Sequence, residues 1–270
     1  MKLGLQTACI MQSNLMSDIR LAKEVGFDEM ELQTVKMERF FDAGFTMDNL
    51  LAALDSFPIT MLDALYPFEP EEPSKRRELR RKCRLYCSWA KSLNCKALQV
   101  VALDGLKHYD WPQQRTKLSD ALKELAAIAA QFDVTLAIEP VVFAPFHSIN
   151  QAIEVLTETD CDNVKLVADT FHIWTDQTPW EEVAQLDPNL ILCAHLGDTN
   201  LKSGEQWGDA DRTALPGDGI IPLEKAVTAI KSTGFDGVWS VEMMSKIHWE
   251  WDPEILTREL KKRAENFLLP

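Results

Sequence analysis

The chain has 270 residues, of which 46% are hydrophobic, so it suits either one large barrel or two small domains. The formal net charge of −14 and the sequence pI of about 4.8 imply a surface field that repels phosphate backbones and anionic membranes. Nucleic-acid binding and membrane binding are therefore disfavoured, whereas small neutral ligands are compatible with this composition.

The N-terminal residues and the cysteines indicate the cellular compartment in which the protein resides. Residues 1–14, MKLGLQTACIMQSN, are too short and polar for a secretory signal, and no run of about 18 apolar residues is present. The six cysteines lie mostly within apolar segments and form no CxxC pair, which is typical of buried thiols in a reducing environment. We therefore expect a cytoplasmic protein.

Short apolar runs alternate with helical patterns along the whole chain. The predicted strands cover 3–7, 29–33, 59–65, 96–102, 135–139, 164–169, 190–195 and 238–242. The predicted helices cover 14–26, 47–56, 71–94, 112–132, 148–159, 179–186, 222–233 and 253–268. Candidate helix-start and helix-end residues are Ser13, Pro112, Pro179 and Pro253 at starts, and Gly26 and Gly234 at ends.

Eight strand–helix pairs in this length predict an α/β fold of the (β/α)8 TIM-barrel type, with residues 1–270 as one domain. The alternative is an open doubly wound sheet. The first strand–helix turn, TACIMQSN, lacks the GxGxxG pattern that a dinucleotide-binding sheet needs. The basic residues of helix 71–94 alternate with glutamates, so we interpret them as a solvated outer face rather than a polyanion site.

Four residues of metal-binding type stand at or near the carboxyl ends of the last four predicted strands: Glu139, Asp169, His195 and Glu242. In a parallel barrel such strand ends converge on one rim, so we expect a divalent metal site there. Three carboxylates and one imidazole suit Mn²⁺, Mg²⁺ or Co²⁺, and Zn²⁺ is also possible. Open positions on the ion would admit two oxygens of a hydroxy-ketone, and Glu139 and Glu242 are the natural pair for moving its proton.

The strings AIEP, VADTFHIW, AHLGDT, DADRTALPGDG and SVEMM, in this order, closely resemble the xylose isomerase-like TIM barrels, and most closely the inosose isomerase and sugar phosphate isomerase/epimerase branch. The resemblance covers the whole chain. It implies that the four residues above are the metal ligands, with Glu139 and Glu242 also acting as acid and base. It further implies that His172 contacts substrate oxygens, that Arg212 binds substrate hydroxyls or stabilises the enediolate, and that Glu31 lines the pocket.

The sequence differs from two branches of this superfamily. The ketose 3-epimerases of this superfamily have an arginine soon after the metal-binding histidine, where this chain has Leu201 and Lys202. Endonuclease IV needs a histidine-rich trinuclear zinc site, whereas this chain has five histidines and a strongly acidic charge. These differences favour the inosose isomerase comparison and argue against DNA repair.

Aromatic residues cluster in the loops expected at the same rim. We expect Phe143 and Trp174 to form pocket walls, and the remaining aromatics to pack a lid or a subunit interface: Phe146, Trp207, Trp249 and Trp251. No glycine-rich phosphate cradle follows the seventh or eighth strand, and Lys246 is the one cation of the last loop, so a phosphorylated substrate is disfavoured.

The sequence thus predicts a metal-dependent isomerase or epimerase of a small sugar-derived or inositol-derived hydroxy-ketone, working by proton transfer through a metal-bound enediolate. One alternative is a dehydratase that expels a β-hydroxyl from an inosose or a dehydroshikimate-like substrate. The other is a non-catalytic barrel that binds a sugar. Superfamily relatives are often dimers or tetramers, so a homo-oligomer is possible by analogy.

Overall fold

The computed structural model describes residues 1–201 and 208–268, and within them eight parallel strands close into a barrel in chain order. The strands are β1 (Lys2–Gln6), β2 (Glu29–Gln33), β3 (Ile59–Leu65), β4 (Ala97–Val101), β5 (Thr135–Glu139), β6 (Val164–Asp169), β7 (Ile191–Leu196) and β8 (Val238–Val241). β1 pairs with both β2 and β8, which closes the barrel. The prediction of a (β/α)8 barrel is confirmed, and each predicted strand is placed within one residue.

Helices surround the barrel. They are α1 (Leu15–Val25), α2 (Thr34–Asp42), α3 (Met47–Leu54), α4 (Pro73–Ser92), α5 (Trp111–Ala130), α6 (Ile149–Thr159), α7 (Thr170–Thr175), α8 (Trp180–Val183), α9 (Leu223–Ser232) and α10 (Pro253–Leu268). No helix in the described ranges is long and apolar enough to cross a bilayer.

Two helices were missed because each begins directly where a strand ends. Helix α2 follows β2 without a loop and buries Met37 and Phe40. Helix α7 has only six residues, and the Asp169 carboxylate at the end of β6 accepts a hydrogen bond from the Phe171 amide at 2.7 Å. The short length of α7 leaves no periodic pattern to detect.

The predicted helix ends at Gly26 and Gly234 are confirmed, whereas the predictions for some helix starts are wrong. Gly26 and Gly234 have φ values of 85° and 93°, which is the left-handed conformation that favours glycine. Helix α1 is capped by Asn14, which accepts from the Ser17 amide at 3.0 Å, and not by Ser13. Pro179 precedes a single helical turn, so the predicted helix 179–186 is much shorter.

The barrel interior has an apolar floor below a polar upper layer. Met61, Ala97, Ala137 and Val167 form a separate buried cluster within the barrel. Because side chains alternate along a strand, the residues two positions later point to the same interior at a higher level. Those residues are Asp63, Gln99, Glu139 and Asp169. The polar layer therefore opens at the carboxyl ends of the strands, on a floor closed to water.

Candidate active site

The structure brings together the four ligand-type residues at the ends of β5 to β8. One donor atom each from Glu139, Asp169, His195 and Glu242 lies within 4.8 Å of the others. All four side chains are buried, and Asp169 and His195 are direct neighbours across the β6–β7 ladder. Three carboxylates this close repel one another unless a cation lies among them.

The orientation of His195 is set by Glu31. The His195 Nε2 atom lies 3.3 and 3.2 Å from the two carboxylate oxygens of Glu31, so Nε2 donates its proton there and Nδ1 faces the cluster. Burial lowers the pKa of His195, but the charges of Glu31 and Glu242 outweigh it and raise this pKa well above its ordinary value. A carboxylate–histidine pair of this kind is the usual support of a metal-binding imidazole.

Glu139 Oε1 has no hydrogen-bond partner in the described chain, and an unprotonated His195 Nδ1 faces carboxylate oxygens that cannot donate to it. The two atoms lie 3.4 Å apart, and Nδ1 is 2.9 Å from Glu242 Oε2. Unsatisfied buried polar atoms are costly, and a cation shared by these donors would satisfy both at once. Mainly oxygen donors with one imidazole suit a divalent ion such as Mn²⁺, Mg²⁺, Co²⁺ or Zn²⁺.

Arg212 lies against the same cluster. Its Nη1 atom donates to Asp169 Oδ2 at 3.0 Å and to Glu242 Oε2, and the side chain is 2% exposed. Burial raises the pKa of Glu242, but the charges of Arg212 and His195 outweigh this and hold it far below the usual range. For Asp169, burial dominates and raises the pKa despite the arginine.

The loop that carries Arg212 is tied to the end of β7. Thr199 Oγ1 donates to the Asp211 carbonyl at 2.7 Å, and Asp198 pairs with Ala214 in an isolated bridge. The Asp198 carboxylate accepts backbone hydrogen bonds from Gly217, Gly219 and Ile221. These contacts fix the backbone beside Arg212 and give the Pro216–Gly219 turn a structural role.

Two hydrogen-bond donors compete for the one acceptor nitrogen of His172. Its Nδ1 atom accepts from the Val142 amide at 3.1 Å, and its Nε2 atom is 3.0 Å from Arg212 Nη2. Burial, followed by the charge of Arg212, lowers the pKa of His172 well below its ordinary value, so the ring is neutral. A neutral imidazole has one acceptor nitrogen, so only one contact can be a hydrogen bond at a time.

A cavity of about 320 Å³ opens beside the cluster. Its polar lining residues are Gln33, Asp63, Gln99, Glu139, Arg212 and Glu242. Val35, Val101 and Phe143 contribute apolar wall, and Phe143 is 37% exposed. The cavity thus has charged side chains on its β5 to β8 side and a second group of polar side chains on its β2 to β4 side. Its volume lies in the range of small-molecule binding sites.

Several residues predicted at the rim lie elsewhere. Glu31 is fully buried under His195, one level below the cavity, because Gln33 is the residue of β2 that reaches the rim. Trp174 does not line the cavity and packs against the core between strands and helices. Phe146 is buried and stacks on Trp111.

The other predicted rim aromatics do not enter the cavity. The Trp249 indole donates to the Ala8 carbonyl at 2.9 Å, and Trp251 is 40% exposed beside His248. Trp207 and Lys202 lie outside the described residues. Conversely, Gln6, Gln33, Asp63 and Gln99 were not predicted as site residues, although each is a polar residue within or at the end of a buried strand.

A family model described as xylose isomerase-like TIM barrel matches residues 19–264, and the chain belongs to this family. The predicted resemblance is therefore confirmed. The inosose isomerase of Bacillus velezensis is 28% identical over 98% of this chain and 96% of its own length. The L-ribulose-5-phosphate 3-epimerase UlaE of Escherichia coli is 23% identical over 84% of this chain and 81% of its own length. These named relatives are isomerases and epimerases, and the chain is an enzyme of that class.

A crystal structure of the protein IolI with a bound zinc atom is similar to this structure, with a TM-score of 0.93 and 27% identity. The match covers 99% of this chain and 98% of the IolI chain. A D-psicose 3-epimerase from Clostridium cellulolyticum, at 17% identity and a TM-score of 0.78, shares the fold.

Proposed function

We propose that this enzyme is a divalent-metal-dependent isomerase or epimerase of an inosose or a related polyhydroxylated ketone. The observation that carries the proposal is the cluster of Glu139, Asp169, His195 and Glu242, whose donor atoms lie within 4.8 Å beside an open cavity. The similarity to inosose isomerases along nearly the whole chain supports the choice of substrate.

The four residues would hold one ion, with Mn²⁺, Mg²⁺ or Co²⁺ favoured by the oxygen donors and Zn²⁺ compatible with the imidazole. The zinc atom bound in the similar IolI structure supports metal binding by this chain. When bound, a divalent ion supplies Lewis acidity that makes the proton alpha to a ketone easier to remove.

Glu139 and Glu242 are the proposed proton-transfer groups. Both line the cavity, and each has one carboxylate oxygen held by a glutamine amide. Gln99 donates to Glu139 Oε2 at 2.8 Å, and Gln6 donates to Glu242 Oε1 at 3.0 Å. One carboxylate removes the alpha proton to give an enediolate, and the other returns a proton at the second face or the neighbouring carbon.

His172 and Arg212 are the proposed contacts to the substrate oxygens. When Arg212 Nη2 turns from His172 Nε2 to a substrate oxygen, the Val142 amide keeps the lone pair on Nδ1, and the ring proton on Nε2 can be donated to the substrate. The guanidinium of Arg212 stabilises negative charge that develops on the same oxygens. Phe143 provides an apolar wall for the C–H face of the substrate.

Proton NMR of the manganese-loaded enzyme with an inosose in D₂O tests the proposal. We expect deuterium to enter the position alpha to the carbonyl and the ketone to isomerise without loss of water. Loss of water would instead assign the dehydratase chemistry. Binding of the ketone without any exchange would assign a non-catalytic sugar-binding barrel.

We also propose that residues 1–270 act as one domain in the cytoplasm, and that homo-oligomers form. All six cysteines are free in the structure, which suits a reducing compartment. Cell fractionation, limited proteolysis and sedimentation velocity test the three points. A periplasmic protein, a stable internal fragment or a monomer at micromolar concentration would contradict each one in turn.

A further inference from the structure

Three polar side chains on β2, β3 and β4 line the cavity next to the cluster of ligand-type residues: Gln33, Asp63 and Gln99. We call these three residues the hydroxyl wall. All three are buried, with exposures of 9%, 7% and 2%. Gln99 also donates to the proposed proton-transfer group Glu139, whereas Gln33 and Asp63 do not contact the cluster directly. Three buried polar groups on one cavity face need partners, and the described protein satisfies them only in part.

The amide orientations in the hydroxyl wall are fixed by the carboxylates around them. The Gln33 amide nitrogen donates to Asp63 Oδ2, and the Gln99 amide nitrogen donates to Glu139 Oε2 at 2.8 Å. The glutamine nitrogen is the donor in both contacts, so each NH₂ group faces a carboxyl oxygen and each amide oxygen faces away. Gln99 Oε1 is buried and has no hydrogen-bond partner in the described chain.

Asp63 is held in the same way. Gln6 and Gln33 both donate to its Oδ2 atom, while Oδ1 receives no hydrogen bond from the described residues. Gln6 also donates to Glu242, so a single amide links the hydroxyl wall to the cluster. Burial, followed by the charges of Glu242 and Glu31, raises the pKa of Asp63 well above its ordinary value, so this carboxyl can donate as well as accept. The wall therefore offers hydroxyl groups two kinds of partner: the carboxyl of Asp63 and the amide of Gln33, with Gln99 Oε1 buried and without a partner beside them.

Oxygen atoms that lack donors are complementary to hydroxyl groups and not to anions. A phosphate here would approach the Glu139 and Glu242 carboxyl groups, and the only cation among the described lining residues, Arg212, is already bound to Asp169 and Glu242. Each like-charge contact in a buried site costs binding free energy. We therefore expect the wall side of the cavity, away from the proposed ion, to disfavour a phosphate group.

We infer that Gln33, Asp63 and Gln99 determine substrate specificity by hydrogen bonding to hydroxyls on the far side of an uncharged polyol ketone. This inference rests on the proposed function for the ketone chemistry. The structure orients the polyol with its carbonyl toward the cluster and its remaining hydroxyls toward the wall. The apolar side chains between the two sides contact the C–H face of the ring.

Isothermal titration calorimetry of the manganese-loaded protein with an inosose, a set of deoxy-inososes and L-ribulose 5-phosphate tests the inference. The variants are Gln33→Met and Asp63→Leu, which remove polar atoms at nearly constant volume. Glu29→Met is the matched control, because Glu29 lies on the same strand at the opposite end of the barrel. We expect each wall variant to weaken inosose binding about tenfold, the equivalent of one hydrogen bond, with the control unchanged.

For each wall variant, one deoxy-inosose should bind the variant and the wild type equally, since the hydroxyl that the residue contacts is already missing. The phosphorylated ketose should bind at least about tenfold more weakly than the inosose. Wild-type affinities that do not change on removal of any hydroxyl, or wall variants that bind like the control, would overturn the inference. Tight inosose binding with no deuterium exchange would contradict the proposed function and leave the wall intact.

Discussion

Glu31 and His195 form a buried pair in which the carboxylate contacts Nε2 at 3.2 Å and both side chains are fully inaccessible to solvent. The pair spans the barrel interior from β2 to β7. It fixes which nitrogen of His195 faces the cluster, so a residue one level below the cavity controls a ligand at its edge. Metal affinity should therefore depend on a residue that never touches the substrate.

Glu31→Gln should lower the affinity for Mn²⁺ by about 10- to 100-fold, because loss of a carboxylate behind a metal-binding imidazole has this effect. Calorimetric titration of the metal-free protein measures it. The same titration of Glu29→Gln, at the other end of β2, should give the wild-type affinity. Unchanged affinity in Glu31→Gln would show that His195 needs no such support.

Glu139→Gln and Glu242→Gln should each lower kcat by about 10²- to 10⁴-fold while the fold and most metal binding persist. If the two carboxylates act on different faces or carbons, each variant should exchange the alpha proton of only one of the two interconverting ketones. Proton NMR in D₂O, started from each ketone separately, measures this. Equal exchange from both ketones in both variants would rule out a two-carboxylate mechanism.

Arg212→Met should make the stability of the folded protein depend more strongly on bound metal. In the metal-free state the guanidinium is the cation beside Asp169 and Glu242, so its loss leaves buried negative charge uncompensated. We expect a lower Tm in EDTA and a larger rise in Tm on adding Mn²⁺ than in the wild type. Arg115→Met, which removes a half-exposed arginine on α5, is the control. An identical metal-induced shift in both variants would contradict this role.

Glu69 gives a prediction about pH. It follows β3, its Oε1 atom accepts from the Leu103 and Gly105 amides, and its buried Oε2 atom has no hydrogen-bond partner in the described chain. Burial raises its pKa above the ordinary 4.5. A raised carboxyl pKa means that the folded state binds the proton more tightly than the unfolded state. Stability from this group is thus complete below pH 4.5 and is lost as pH rises through the folded-state pKa.

Glu69→Gln should therefore raise stability at pH 8 by about 1 kcal/mol, or roughly 2 °C in Tm. The gain should shrink toward zero as the pH is lowered to 4.5. Differential scanning calorimetry over this range measures it. A stability gain that is constant with pH, or a loss of stability at pH 8, would show that ionisation of the Glu69 carboxyl does not destabilise the folded state.

The barrel and the cluster were predictable because both depend on strand ends. Buried parallel strands are nearly continuous apolar runs, and a ligand-type residue after each of the last four runs stands out against them. The hydroxyl wall was not predictable in the same way. Gln33, Asp63 and Gln99 lie within or at the end of strands, and their common level in the interior depends on the register between strands, which sequence patterns do not contain.

The position of Glu31 below the cavity was likewise not predictable from the sequence. Glu31 and Gln33 share one face of β2, and only the three-dimensional register places Gln33 at the cavity and Glu31 beneath His195. Trp174 was expected in the cavity wall because it follows β6. The unpredicted helix α7 carries it to the core between strands and helices instead.

One divalent ion should bind among four side chains: Glu139, Asp169, His195 and Glu242. Crystals grown with excess MnCl₂ and measured at the manganese absorption edge test it directly. We predict a single anomalous peak within coordination distance of a carboxylate oxygen from each acid and of His195 Nδ1. An anomalous map with no peak there, or a peak bound by other residues, would contradict the account.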